Sequence, residues 1–328
     1  MKRDSNIELL RIVAMIFIVI FHISIHAQGG SLATHPYITG ITCTGVNLFI
    51  LISGYFGIRL KWRSLLNLVA ILLFFNAITL VFRCTIYDYT PMKGDVASLF
   101  LPLSHSWWWF ARNYLMLMLL SPAINLIIEK SCKKQKLYII CILAYLSCVS
   151  GYLFKNSVNE SGFTLFNFVF IYMLGNCIKR YMQADRIKTT HLAITYTLST
   201  VSLIAYHHFY KFPSYNNPVL IIAAVSLFGL FLKMKSHNSP AINSIAQCMF
   251  PVYLLQDSPC GFDIYRNLYA YGAKHNFEGL AYIATLVIYA VSLFALAIVL
   301  EKTRSWLLSK PIERASNYLK AKCNIFDE

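Results

Sequence analysis

Ten apolar segments follow one another along this chain, and short polar gaps separate them. About 20 apolar residues cross a bilayer as a helix. The predicted spans are 7–27, 38–58, 64–86, 107–128, 137–155, 162–181, 191–210, 217–234, 241–257 and 280–300. Polar residues and a proline interrupt the ninth, and the eighth is short. With 57% hydrophobic and 13% charged residues, the sequence predicts an all-α, polytopic membrane protein.

The distribution of Lys and Arg predicts the orientation of these spans. Of the 29 cations, 21 lie before the first span, in or at the edge of every second gap, or after the last span; six lie in or at the edge of the other gaps, and Arg11 and Arg112 lie inside spans. Cytoplasmic loops carry the excess of Lys and Arg. We therefore expect a multi-pass protein of the cell (inner or plasma) membrane with both termini in the cytoplasm. The net charge of +15 is then mainly topology, with the lipid bilayer rather than nucleic acid as partner.

The predicted organisation is one ten-span membrane domain, residues 1–300, followed by a basic tail, residues 301–328. The tail is modestly amphipathic, and we expect it to lie along the cytoplasmic surface on anionic lipid. Nine cysteines are present without a C-x-x-C spacing, which predicts neither a disulfide framework nor a metal site.

The first apolar segment, LLRIVAMIFIVIFHISIHA (residues 9–27), carries polar residues at costly positions. Arg11 and His22 are eleven positions apart, which places them on one helix face about 16 Å apart, and His26 follows one turn later. Glu8 stands three residues before Arg11, a spacing that permits an ion pair. Arg11 can reach the headgroups at the span end, and His22 can form an interhelical hydrogen bond. The alternative is a polar path through the membrane, because ionisable residues inside spans often mark function.

Four segments resemble the acyltransferase 3 family of membrane proteins. ELLRIVAMIFIVIFH is similar to the opening R-x10-H motif of that family, and GVNLFILISGYFGIR (45–59) resembles its SG-[FY] segment. WWWFARNYLMLMLLSPAIN (107–125) resembles its aromatic-rich span ending in Pro and Asn. CMFPVYLLQDSP (248–259) resembles its FGVYLIHD-x-P segment. Two positions depart from the pattern: Gln256 replaces a His found in many members, and Glu8 replaces an Asp.

The resemblance implies transfer of an acyl group, usually acetyl, from cytoplasmic acyl-coenzyme A to a hydroxyl of a surface polysaccharide or lipid-linked glycan. His22 is then the catalytic base or an acyl-histidine nucleophile, and Arg11 acts with it. For the coenzyme A phosphates we expect Arg11, Arg59, Lys61 and Arg63, although the positive-inside rule alone also accounts for the last three. A membrane transporter or exporter of glycan or small-molecule cargo is the alternative, and a structural or sensory subunit leaves the Arg–His row unexplained.

Other polar and aromatic residues complete the predicted site, each beside a plainer interpretation. Ser53 and the neighbouring Gly54 can contact the acyl carbonyl or allow close helix packing. Arg112 can bind the acceptor or reach the outer headgroups, and aromatic side chains can stack on sugar or form an interfacial belt. The supporting residues are Glu8, His26, Asn47, Ser53 and Arg112, and the substrate-binding residues are Trp107, Trp108, Trp109 and Tyr253.

Overall fold

A computed structural model describes residues 4–26, 36–103, 107–155, 157–182, 187–210, 213–275 and 279–323. Within these ranges the chain forms helices and no strand. The α-helices are α1 Ser5–His26, α2 Pro36–Thr42, α3 Gly45–Phe56, α4 Trp62–Ile86, α5 Lys93–Ser98, α6 Trp109–Lys130, α7 Lys133–Ala144, α8 Leu165–Tyr181, α9 Thr189–Phe209, α10 Pro218–Leu232, α11 Pro240–Ala246, α12 Met249–Gln256, α13 Pro259–Lys274 and α14 Gly279–Lys322. A π-helix, Tyr145–Leu153, follows α7, and a 3₁₀-helix, Ser157–Gly162, precedes α8.

The all-helical prediction is confirmed, and helices lie at all ten predicted spans. Among the described residues, six stretches are long and apolar enough to cross a membrane: Ser5–Ile25, Pro36–Phe56, Trp62–Ile86, Trp109–Lys130, Lys133–Leu153 and Ala284–Lys322. The second is formed by α2 and α3 together, with a break at residues 43–44, and the ninth predicted span is divided between α11 and α12. The count of ten spans and the cytoplasmic orientation of both termini stay predictions.

The chain divides into two compact units, Met1–Ile58 with Ala123–Met249, and Arg59–Pro122 with Phe250–Glu328. In the first unit, α1 packs against α2, α3, α10 and α11, and α3 packs against α8. The helix starts follow local sequence: Asp4 Oδ1 accepts from the Asn6 amide at the start of α1, and Asn217 caps α10 ahead of Pro218. This unit contains α1, and therefore Arg11 and His22.

In the second unit, α4 packs against α5, α13 and α14. The helix α14 runs without interruption through position 300, so the predicted boundary between domain and tail does not coincide with a helix end. Arg304, within the predicted tail, has a buried side chain that binds Glu301 and Asn67. The placement of the tail along the cytoplasmic surface stays a prediction. The division into domains at residue 300 otherwise stays a prediction.

Candidate active site

A single continuous helix carries Arg11 and His22, as predicted. Because α1 is uninterrupted from Ser5 to His26, the two side chains leave the helix within about 20° of each other and about 16 Å apart along its axis. Both are partly buried. Met15 and Ile18 lie between them on the same face and are 1% and 6% exposed. The middle of the row is therefore filled by packed apolar side chains.

The predicted ion pair between Glu8 and Arg11 is confirmed. The Arg11 Nη1 donates to both Glu8 carboxylate oxygens, at 3.0 and 2.9 Å. The Glu8 side chain is 8% exposed and that of Arg11 is 30% exposed, so the carboxylate is covered and part of the guanidinium is accessible. The part of the chain that the structure describes gives Arg11 no second polar partner, which leaves Nε and Nη2 available to a ligand.

Arg11 lines a pocket of about 740 Å³ within the first unit. The wall is formed by α1, the end of α3, Lys179 at the end of α8, and the segment after α10. The lining residues are Asp4, Ile7, Glu8, Arg11, Tyr55, Phe56, Lys179, Leu232, Ser236, His237 and Asn238. The volume falls in the range of about 300–1,000 Å³ that is typical of small-molecule sites. His22 is not among the lining residues of this pocket.

Hydrogen bonds fasten the first turn of α1 to the segment behind the pocket. Ser5 Oγ donates to Asn243 Oδ1 at 2.9 Å, and the Ser5 amide donates to the His237 carbonyl at 3.0 Å. Asn6 Nδ2 donates to the carbonyls of Met234 and Lys235, at 2.8 and 3.1 Å. The Ser5 and Asn6 side chains are buried, whereas their partner Asn243 is partly exposed. The pocket therefore has a fixed wall beside Arg11.

Asn47 of α3 lies at a level of α1 between Arg11 and His22, but it points to the side of α3 opposite Gly45, away from α1. A Cβ on Gly45 of α3 would meet the Ala14 carbonyl and the Ile18 side chain at 2.8 Å, which places the start of α3 level with these residues of α1. The other end of α3 reaches the pocket through Tyr55 and Phe56, so α3 runs antiparallel to α1. Asn47 is fully buried and its Nδ2 donates to the Tyr215 carbonyl at 2.9 Å.

The amide oxygen of Asn47 is buried, and the described residues offer it no donor. A buried acceptor in this state is costly unless a ligand, water or conformational change supplies a partner. The oxygen is fixed as the free atom of the amide, because only the nitrogen can donate to the Tyr215 carbonyl. The oxygen therefore lies beside Tyr215 and away from the Arg11–His22 row, and a supporting role of Asn47 in the reaction stays a prediction.

Ser53 and Gly54 have different roles in α3. Ser53 Oγ donates to the Phe49 carbonyl at 2.9 Å, inside the helix. A Cβ on Gly54 would overlap the Tyr172 carbonyl of α8, and one on Gly175 would overlap the Leu51 carbonyl. Close helix packing accounts for Gly54, and a contact of Ser53 with the acyl group stays a prediction.

The predicted aromatic residues lie in the second unit. Trp108 is 2% exposed and its Nε1 donates to the Leu254 carbonyl at 3.0 Å, whereas Trp107 is 54% exposed. Tyr253 is buried against Phe110, with ring centroids 5.4 Å apart. The structure thus joins the start of α6 to α12. The substrate role of these residues and of Trp109 stays a prediction, and burial makes Trp108 and Tyr253 less accessible than Trp107.

The remaining predicted residues are cations and one histidine. Arg112 is partly buried, and the described residues give it no ion pair or hydrogen bond from its side chain. Arg59, Lys61 and Arg63 are exposed between α3 and the first turn of α4. His26 is the last residue of α1, and its side chain lies outside the described residues.

Sequence reasoning missed several pocket residues, above all Lys179 and His237. The sequence indicates Lys179 only as one of the cations that orient the spans, whereas in the structure its Nζ lies 5.7 Å from the centroid of the Tyr55 ring. Its position at the very end of a predicted span, like that of Arg11 near the start of one, was the available signal. Nothing in the local sequence indicated His237.

Fold and site together define a class: a multi-pass helical membrane protein with a charged pocket beside the N-terminal turns of its first helix. Residues 4–302 match the family model described as "Acyltransferase domain", and the chain belongs to this family. Comparisons with curated proteins and with solved structures gave no match. The family supports an acyltransferase, and it gives no support to the alternative of a transporter.

Proposed function

We propose that this protein is an integral membrane O-acyltransferase that moves an acyl group, acetyl by preference, from acyl-coenzyme A to a hydroxyl of a surface polysaccharide or lipid-linked glycan. The donor enters at the pocket of Arg11, which we assign to the cytoplasmic face of the cell membrane. The observation that carries the proposal is the single helix α1, with an accessible guanidinium in a pocket and an imidazole three turns further along the same face.

The pocket supplies the groups that a nucleotide phosphate requires. Arg11 presents a planar set of donors, and Lys179 adds a second cation. Asp4 and Glu8 bring negative charge, but Glu8 is covered by its bond to Arg11 and Asp4 Oδ1 accepts from the Asn6 amide. Exposed Arg59, Lys61 and Arg63 complete the proposed set of cations for the donor.

His22 is proposed to deprotonate the acceptor hydroxyl. The hydroxyl oxygen attacks the thioester carbonyl, the C–O bond forms, the C–S bond breaks, and the proton passes through the imidazole to the departing thiolate. In the two-step route the imidazole nitrogen attacks the thioester carbonyl first, and coenzyme A leaves as the thiol. The acceptor hydroxyl then attacks the carbonyl of the acyl-histidine, the C–O bond forms, the C–N bond breaks, and the hydroxyl proton passes to the departing imidazole. Both routes need the thioester beside His22, about 16 Å from Arg11 along α1.

The thioester-bearing arm of coenzyme A can reach His22 only if the Met15 and Ile18 side chains move aside, because these side chains fill the middle of the row. Methionine is unbranched and adapts to irregular shapes. On the acceptor side we propose Trp107, Trp108, Trp109, Arg112 and Tyr253 as contacts, with His26 near the entrance.

Replacing His22 tests the proposed chemistry directly. In His22→Gln the side chain keeps a hydrogen-bonding group but cannot accept and pass a proton, and we expect the turnover rate to fall by about 10²–10⁴-fold. The matched control is His208→Gln, an exposed histidine near the end of α9. Purified variants in nanodiscs are assayed for thiol release from acetyl-coenzyme A with a glycan acceptor, alongside melting temperature.

The expected result is a loss confined to His22→Gln with unchanged melting. An active His22→Gln variant contradicts the role of the imidazole. Mass spectrometry of the surface glycan from cells with and without the gene tests the acceptor, and an unchanged acyl content contradicts the proposed acceptor class.

A further inference from the structure

Two of the sequence segments that resemble the acyltransferase 3 family meet at the end of α3. The helix α3, which lies in the segment 45–59, ends at Phe56, and Asn125 is the last residue of the segment 107–125. Both Asn125 and residues up to Ile58 belong to the first unit. The proposed reaction assigns no role to Asn125, nor to Tyr172 of α8, which forms hydrogen bonds to both segments.

Three hydrogen bonds join these residues. The Tyr172 hydroxyl donates to Asn125 Oδ1 at 2.7 Å and accepts from the Ile58 amide at 2.9 Å. Asn125 Nδ2 donates to the Ile58 carbonyl at 2.8 Å. Each of the three groups therefore binds the other two, and both backbone polar groups of Ile58 are satisfied. We name this arrangement the Tyr172–Asn125 brace.

The backbone before the brace leads directly to the pocket wall. Gly57 has φ of 79°, a left-handed conformation that favours glycine, and its amide donates to the Ser53 carbonyl at 2.9 Å to end α3. Tyr55 and Phe56, the two residues before it, line the pocket. The contact of Gly54 with the Tyr172 carbonyl leaves no space for α3 to shift toward α8.

We infer that Tyr172 and Asn125 are positioning residues of the donor pocket, which hold the wall formed by Tyr55 and Phe56 beside Arg11 and Lys179. This inference rests on the proposed function in one respect, since it takes the ligand of the pocket to be the acyl donor. The brace touches the backbone of Ile58 rather than the ligand. Its loss should therefore weaken donor binding and leave the chemical step and the acceptor site unchanged.

Tyr172→Phe keeps the buried ring and removes only the hydroxyl. We expect the KM for acetyl-coenzyme A to rise about fivefold to tenfold, the scale of one lost hydrogen bond that positions a group. The kcat and the KM for the acceptor should change by less than about twofold. Asn125→Ala should give the same pattern, and the double variant should be little worse than either single variant, because all three bonds form one network.

The matched control is Tyr152→Phe, which removes a tyrosine hydroxyl that accepts from Asn217 Nδ2 at 3.0 Å elsewhere in the same unit. It should leave the KM for the donor unchanged. Equal changes in both KM values, in kcat, or in the Tyr152→Phe control would overturn the inference, because these would indicate a general structural role.

Amide hydrogen exchange separates the brace from the proposed function. The Ile58 amide should lose protection in Tyr172→Phe and keep it in Tyr152→Phe, whether or not the protein binds acetyl-coenzyme A. Faster exchange at residues 55–59 with no binding by the wild-type protein would support the brace and contradict the proposed donor. Unchanged exchange would contradict the brace itself.

Discussion

Two arginines of this protein each bind a glutamate three residues earlier, and they differ in what surrounds them. Arg11 donates to Glu8 through Nη1 alone, and its side chain is 30% exposed at a pocket. Arg304 donates to Glu301 through Nε and Nη2, at 2.8 and 2.7 Å, and Nη2 also binds Asn67 at 3.0 Å, while its side chain is 2% exposed.

The same spacing thus produces two kinds of site. At Arg11 the ion pair orients a guanidinium that keeps accessible donors. At Arg304 the donors are directed into the protein, and the pair fastens α14 to α4 within the second unit. A buried pair of this kind is costly to break and contributes little that a ligand can use. The number of accessible donors, rather than the ion pair, distinguishes a binding residue from a structural one.

The largest effect is expected from Arg304→Ala. This change removes a buried guanidinium from two partly buried partners, Glu301 and Asn67. We expect the free energy of unfolding to fall by about 3 kcal/mol, the lower end of the range for breaking a buried pair. The loss should appear as a lower melting temperature and a lower yield of folded protein in detergent. Arg11→Ala should destabilise less, because the guanidinium there is partly exposed. Equal melting temperatures of Arg304→Ala and Arg11→Ala would contradict the distinction between a structural and an accessible arginine.

The variant Arg11→Lys tests whether the accessible guanidinium donors of Arg11, rather than its charge alone, bind the ligand. Arg11→Lys keeps the charge and loses the planar set of donors, so we expect affinity for coenzyme A to fall about tenfold. The melting temperature should change by less than about 2 °C. Isothermal titration measures the affinity, and the exposed Arg314→Lys serves as control. Unchanged affinity in Arg11→Lys would mean that Arg11 acts only as a point charge or not at all.

Replacing the whole pair tests whether the ionic character of the Arg304 site matters. In the double variant Glu301→Gln, Arg304→Met, no unpaired charge remains, and stability should lie within about 1 kcal/mol of the wild type. Glu8→Gln, Arg11→Met should keep the fold and lose donor affinity. Differential scanning fluorimetry and coenzyme A binding measure the two properties, and severe unfolding of the Glu301, Arg304 double variant would show that the charges themselves are required.

Salt should produce the smallest difference. Raising the ionic strength from about 0.1 to 0.5 M shortens the screening length, so the proposed binding of coenzyme A at partly exposed Arg11 and exposed Lys179 should weaken about twofold to threefold. Unfolding of the wild type relative to Arg304→Ala should be nearly insensitive, because the Arg304 pair is buried. A salt-independent Kd for coenzyme A would contradict charge-based recognition in the pocket.

Much of the local arrangement was predictable from sequence. The apolar segment of residues 7–27 gave α1 within two residues of its ends, and the three-residue spacing gave the Glu8–Arg11 pair. Both depend only on helix geometry and chain-local chemistry. The end of α3 at Phe56 was also within two residues of the prediction.

Contacts between distant parts of the chain were not predictable. The brace joins Ile58, Asn125 and Tyr172, and no local pattern indicates which carbonyl a buried Asn or Tyr will reach. The sequence predicts Arg304 as one more cation of a surface tail, because a count of charges contains no information on burial. Lys179 was missed for the same reason: its role at the pocket depends on the packing of α8 against α3.

The bonds at the first turn of α1 have a consequence for how the protein is made. Ser5 and Asn6 bind residues 234–243, which the ribosome adds more than 220 residues later. Chains are synthesised from the N-terminus at about 5–20 residues per second. Roughly ten seconds or longer therefore pass between the synthesis of α1 and that of the residues that bind its first turn. Over that interval the nascent chain carries Arg11 without a complete pocket, and a product truncated before Ser236 lacks part of the pocket wall.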